Sequence, residues 1–208
     1  MTKITLRTAL ELISHEAIVR EAYKDSVGIW TWSIGITSAS GYNVNQYISN
    51  PQPMDKCLEV FVKVLQKYAD DVDQAFTGRV LSEEQFAAAL SFHYNTGAIK
   101  RASWVKSYLA GNYSKSKSEF MNWRKPPEII PRRQKERDLF FDGKWSNNGT
   151  VTEFTTVRKN GSIDWSSGKR VNVTEQLEKL FEVKPVRQQS NLIETIVEFI
   201  LELIGQKK

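Results

Sequence analysis

Glu16, Asp25 and Thr31 occur in the run His15-Glu16-Ala17-Ile18-Val19-Arg20-Glu21-Ala22-Tyr23-Lys24-Asp25-Ser26-Val27-Gly28-Ile29-Trp30-Thr31. Two carboxyl groups and a nearby hydroxyl suit the cutting of a glycosidic bond, in which one carboxyl delivers a proton and the other handles the attacking water. Leu6, Ala9, Leu10, Ile13 and Ala17 recur at three- and four-residue steps, which predicts an amphipathic helix ending at Glu16. Glu16 would then face apolar residues, a setting that disfavours a charged carboxyl. Asp25 would sit in the polar turn Lys24-Asp25-Ser26-Val27-Gly28, which favours one. The same residues also fit a solvated helix face followed by an Asx turn, so the spacing alone does not choose.

The surrounding segments do choose. Glu16, Asp25-Ser-Val-Gly-Ile-Trp-Thr31, Leu81-Ser-Glu-Glu-Gln-Phe86, Phe92-His-Tyr-Asn95-Thr-Gly97 and Arg132-Arg133-Gln-Lys-Glu136-Arg137 follow one another in order. In these segments the chain resembles phage-type lysozymes, the endolysins and muramidases of glycoside hydrolase family 24, over about residues 8 to 142. The resemblance implies an α+β, mostly helical lysozyme-like domain with a small antiparallel sheet beside the cleft. It implies Glu16 as the general acid toward the bond between N-acetylmuramic acid and N-acetylglucosamine, Asp25 as the carboxylate that handles water, and Thr31 as a hydroxyl that helps hold that water. It also implies an inverting reaction, with carboxyls roughly 6.5 to 9.5 Å apart, and no metal or organic cofactor.

The chain departs from the family after Thr31, where Ile-Gly-Tyr-Gly-His-Thr is common and Trp32-Ser33-Ile34-Gly35-Ile36-Thr37 stands here. The alternation of Trp32, Ile34 and Ile36 with Thr31, Ser33, Gly35 and Thr37 still predicts a half-buried strand. Trp30, Trp32 and Trp104 are candidates for stacking on sugars, with core packing the competing role, and Asn95 is a further substrate-binding candidate.

Composition fits a globular protein with one main domain: 208 residues, 40% hydrophobic and 25% charged. The single cysteine, Cys57, rules out an internal disulfide framework and reads as a buried thiol. His15 and His93 are the only histidines, too few for most metal sites. The net charge is +5, and residues 100 to 144 hold 12 Lys and Arg against 5 Asp and Glu. Within the resemblance, this excess points to an anionic cell wall rather than to nucleic acid, while Arg132 or Arg133 fits a structural partner of a buried carboxylate.

Punctuation sets the elements. One helix is predicted from Asp55 to Phe76, ending at Thr77-Gly78, and another after the capping box Ser82/Gln85, reaching Asn95-Thr96-Gly97. Shorter helices fit Ser103–Ala110, Ser114–Trp123 and Arg132–Asp142. The domain expectation is therefore 1–145 catalytic, 146–183 a β-hairpin and short helix appendage, and 184–208 a linker with an amphipathic helix. In the appendage, Val151–Val157 and Ser162–Trp165 read as strands around Lys159-Asn160-Gly161, and Thr174–Phe181 as a helix. The appendage is too short for its own core and should pack on the main domain, with a wall-binding role the sharper option. Residues 190–205 are apolar with glutamates four apart, too short and charged to span a bilayer. Their acidic face favours self-association or partner docking over peripheral membrane contact.

The first residues show no stretch suited to a signal peptide or anchor, so cytoplasmic synthesis followed by holin- or secretion-dependent release to the periplasm and wall is expected. The reading as a whole is a peptidoglycan muramidase. The alternatives are a non-catalytic wall-binding or secretion-accessory protein on the same fold, or a glycan hydrolase or transglycosylase of other specificity.

Overall fold

The computed structural model describes residues 4–182. Its first helix, α1 (Leu6–Ile13), is capped by Thr5, whose hydroxyl accepts from Thr8 N at 3.1 Å. The helix stops short of the predicted end. Ser14 turns its hydroxyl back onto Leu10 O at 2.9 Å, and the β-branched pair Ile18-Val19 then enters the strand β1 (Ala17–Lys24). Glu16 therefore sits at the helix–strand junction rather than on a helix, its N–H donating to Ile13 O at 3.0 Å.

β1 continues into the antiparallel strands β2 (Trp30–Ser33) and β3 (Ile36–Thr37). Tyr23 stands opposite Thr31, and the pairing is irregular between Val19 and Tyr23. Val44–Tyr47 form a short 3-10 turn that brings Tyr47 onto Trp32, with ring centroids 4.0 Å apart. The helical body follows: α2 (Met54–Ala75), α3 (Glu83–Thr96), α4 (Ser103–Leu109), α5 (Tyr113–Phe120) and α6 (Ile130–Asp142). α3 starts on the expected capping box and ends on Gly97 at φ +60°, a left-handed position that glycine takes without strain. Phe92, Phe120 and Phe140 surround Trp104 at 4.5–5.3 Å, which fixes where α3, α4, α5 and α6 meet.

The chain then returns to the sheet through β4 (Thr150–Phe154) and β5 (Gly168–Asn172), followed by α7 (Thr174–Phe181). β4 runs parallel to β1, with Ala17, Ile18 and Val19 opposite Thr152, Glu153 and Phe154. The sheet is thus mixed and five-stranded, in the order β3-β2-β1-β4-β5, rather than a small antiparallel one. Parallel neighbours need a long crossover, and the whole helical body supplies it. The expected turn forms, with Gly161 N donating to Arg158 O at 2.8 Å, but Ser162–Trp165 contributes only a bridge between Val157 and Ile163. The partner strand of β4 lies further on, at β5.

Glu11 fastens this return. Its buried carboxylate accepts from the N–H and hydroxyl of Ser146 (3.1 and 2.7 Å) and from the N–H and side-chain amide of Asn147 (3.0 and 3.1 Å). Burial pushes its pKa up, but bonds from His15 and Ser146 outweigh that and hold it below the ordinary value. Cys57 is buried, and burial pushes its thiol up to about 11. The predicted helix over 190–205 lies outside the described residues. Among the described residues, no helix is long and apolar enough to cross a membrane.

Candidate active site

A cleft of about 410 Å³ is lined by Glu16, Tyr23, Lys24, Asp25 and Gly35, and by Phe154, Ser162, Ile163 and Trp165 from the C-terminal return. The helix–strand junction delivers Glu16 and the far end of β1 delivers Asp25, so the strand between them acts as the spacer. Gly35 also lines a second groove of about 510 Å³ with Thr37, Lys67, Tyr68, Asp71 and His93, between β3 and helices α2 and α3. The two depressions meet at that glycine, as suits an extended rather than a compact ligand.

Glu16 does not rest against an apolar face, contrary to the expectation from the helix pattern. Because the helix ends early, its Oε1 accepts instead from Arg132 Nη1 at 2.6 Å. Arg132 is itself buried: its Nε donates to Glu136 Oε1 at 2.8 Å and its Nη2 to Ser91 O at 3.2 Å. Glu136 also accepts from Ser91 Oγ at 2.6 Å and from Arg133 Nη1. Burial works against the charge on Arg132, but Glu16 and Glu136 outweigh it and raise its pKa above that of an ordinary arginine. Both arginines pair with the buried Glu136 carboxylate, as one sequence reading had it, and Arg132 alone also reaches Glu16.

Asp25 is set differently. Its Oδ1 accepts from Val27 N at 3.0 Å and Ile29 N at 2.9 Å, the Asx turn that the sequence suggested. Thr31 is buried on β2 and its hydroxyl donates to Ile29 O at 3.2 Å, which ties it to the turn carrying Asp25. Tyr23 is the residue that sequence reasoning missed. It lines the cleft beside both carboxylates, and burial, with added repulsion from Glu16 and Asp25, pushes its phenol up to about 12. It stays a hydrogen-bond donor at any working pH. Its register opposite Thr31 was the signal, since hairpin pairing places both side chains on one face.

Three aromatic assignments need correction or narrowing. Trp32 and Trp104 are fully buried and cannot stack on a ligand. Trp32 packs on Tyr47 and donates its Nε1 to Arg20 O at 2.9 Å, while Trp104 is the centre of the phenylalanine cluster. Trp30 is half-buried outside the cleft lining, with Lys24 Nζ 5.3 Å from its ring. Asn95 lies in a separate depression of about 360 Å³ with Trp123 and Pro126, where its Oδ1 accepts from Arg133 Nη2 at 2.6 Å. Ile34 and Ile36, which replace the family's usual tyrosine and histidine, are both buried. These substitutions are therefore core packing, and the Ile34 carbonyl accepts from the Tyr94 hydroxyl.

A small sheet against a helical body, with one carboxylate at the α1–β1 junction and another on the first hairpin turn, defines the lysozyme-like class. The sequence profile of the phage lysozyme family matches residues 13–136, and the chain belongs to that family. It is 29% identical over 143 residues to an endolysin of Bacillus phage B103, a match covering 62% of this chain and 53% of that protein. The chain therefore spans about half the length of this relative. Among solved structures, it is similar to the endolysin of Escherichia coli O157:H7 phage FAHEc1 (TM-score 0.61, 23% identity, 70% of this chain and 99% of that one). It is also similar to a mutant of P22 lysozyme (TM-score 0.57, 26% identity, 67% of this chain and 99% of that one).

Proposed function

We propose that the chain is a muramidase that hydrolyses the β-1,4 bond between N-acetylmuramic acid and N-acetylglucosamine in peptidoglycan. The observation that carries this reading is the convergence of Glu16 and Asp25, in two unlike settings, on one cleft. Glu16 is the general acid. With Oε1 gripped by Arg132, Oε2 is the oxygen left to hold the proton, which passes to the bridging oxygen as that bond breaks. A water adds to the anomeric carbon and its proton moves to Asp25, whose negative charge balances the oxocarbenium-like transition state. Thr31, buried behind the cleft, braces the turn that carries Asp25, and Tyr23 donates into the space where that water lies. Peptidoglycan lies outside the inner membrane, so release through a holin or a secretion apparatus completes the picture. Residues 190–205 serve self-association or partner docking in this reading.

The test is turbidity loss of permeabilised Gram-negative cells with wild type, Glu16→Gln and Asp25→Asn in parallel. Glu16→Gln is expected to lose on the order of 10³-fold of the activity, because an amide has no proton to deliver. Equal lysis by wild type and Glu16→Gln would refute the assignment.

A further inference from the structure

The family match ends at residue 136, yet four residues beyond it line the cleft with Glu16 and Asp25: Phe154, Ser162, Ile163 and Trp165. Their placement is built into the fold. Lys24 N donates to Gly161 O at 2.8 Å, so the turn of the return is bonded to the residue before Asp25. Gly161 has φ +86°, and a Cβ there would lie 3.1 Å from Trp30 Cη2 and 3.2 Å from Lys24 Cγ, so glycine lets the turn approach this closely. Asp164 Oδ1 accepts from Ser166 N at 3.2 Å and from Arg158 Nη2 at 3.0 Å. The Ser167 hydroxyl donates to Asp164 O at 2.6 Å and accepts from Thr156 N at 3.2 Å.

On this braced loop Trp165 is 69% exposed. Among the described residues its ring packs on Phe154, at 5.1 Å and 86°, an edge-to-face arrangement that fixes the indole while covering little of it. Core packing does not explain an ordered, largely uncovered indole at the mouth of a cleft that holds two carboxylates. A flat apolar face with one N–H at its edge matches a pyranose ring, whose axial C–H bonds form an apolar face and whose hydroxyls form a polar rim.

We propose that Trp165 is a sugar-stacking platform, so that residues beyond the family segment set the affinity of the Glu16–Asp25 cleft for a glycan strand. The proposal rests on the muramidase reading for its ligand class, but it concerns binding rather than chemistry. Trp165 is a positioning and affinity residue. Its removal is expected to weaken substrate capture and to leave the proton transfer intact.

The experiment is co-sedimentation with purified peptidoglycan in the Glu16→Gln background, which leaves the substrate uncut, with and without Trp165→Ala or Trp165→Phe. Trp165→Ala is expected to weaken retention roughly tenfold, equal to about 1.4 kcal/mol. Trp165→Phe keeps a ring against Phe154 and should give a smaller loss, which separates stacking from folding if the alanine variant is unstable. In the active background, KM on soluble peptidoglycan fragments should rise about tenfold with kcat within about twofold. Retention of both variants equal to the parent overturns the platform. If wild type leaves walls intact while Trp165→Ala sheds wall binding, the platform stands and the hydrolase reading falls. If wild type digests walls and Trp165→Ala binds and digests as well as it does, the hydrolase reading stands and the platform falls.

Discussion

On the side of the cleft that belongs to the family segment, charge is buried and paired: Glu16, Arg132, Glu136, Arg133 and Ser91 form one connected set. On the side supplied by the C-terminal return, the loop between β4 and β5 is braced by backbone and short side-chain bonds and presents an indole to solvent. A buried ionic set holds one carboxylate oxygen in a fixed place, and breaking it halfway leaves an uncompensated charge. An aromatic face gains from contact area and tolerates small shifts of its partner. In the proposed reading a proton donor and a grip on the substrate call for different construction, and the two would come from different stretches of this sequence.

The variant expected to break that contrast most severely is Glu136→Ala. It strands the guanidinium groups of Arg132 and Arg133 in the interior and should cost about 3–5 kcal/mol in chemical denaturation. A loss below about 1 kcal/mol would show that the network is not what holds this side together.

Glu11→Ala comes next, because it removes the acceptor for Ser146 and Asn147 and so loosens the start of the return. It is expected to cost about 2 kcal/mol. The pH dependence has a definite sign. The folded pKa of Glu11 lies below its ordinary value of 4.5, so its contribution is fully present above that value and is lost as pH falls through the folded one. The stability gap between wild type and Glu11→Gln should therefore be constant near neutrality and shrink in acid; a gap that widens in acid would contradict the assignment.

Arg20→Gln should have the smallest effect. Arg20 pairs with Glu153 at 3.3 Å across the β1–β4 seam but is 39% exposed, so screening limits the cost to under about 1 kcal/mol. A larger loss would place the ion pair, rather than the backbone ladder, at the centre of the parallel pairing.

Local signals in the sequence marked most of the helical body. The capping box at Ser82 and Gln85 and the glycines at Gly78 and Gly97 act within a few residues, and α2, α3 and α7 lie where the sequence put them. Glu16 and Asp25 were singled out by the family segments around them; of their local settings, the Asx turn at Asp25 formed and the helix face at Glu16 did not. What distance decides was not legible. β4 finds β1 across the whole helical body, so neither the mixed sheet nor the shared wall of the cleft has a local mark. Helical spacing through Ala17 competed with the β-branched pair Ile18-Val19, and the sheet won because β2 and β4 flank that stretch. Tryptophan type gives size but not direction, which is why Trp32 and Trp104 read as fitting either groove or core and lie in the core, while Trp165, read only as part of a strand, stands open at the cleft.

The division between chemistry and grip is tested most directly by measuring kcat and wall retention for Glu16→Gln and Trp165→Ala side by side on one preparation of purified peptidoglycan. The expected result is a collapse of kcat with retention kept for Glu16→Gln, and kcat kept with retention reduced for Trp165→Ala. Loss of retention in Glu16→Gln together with loss of kcat in Trp165→Ala would contradict it.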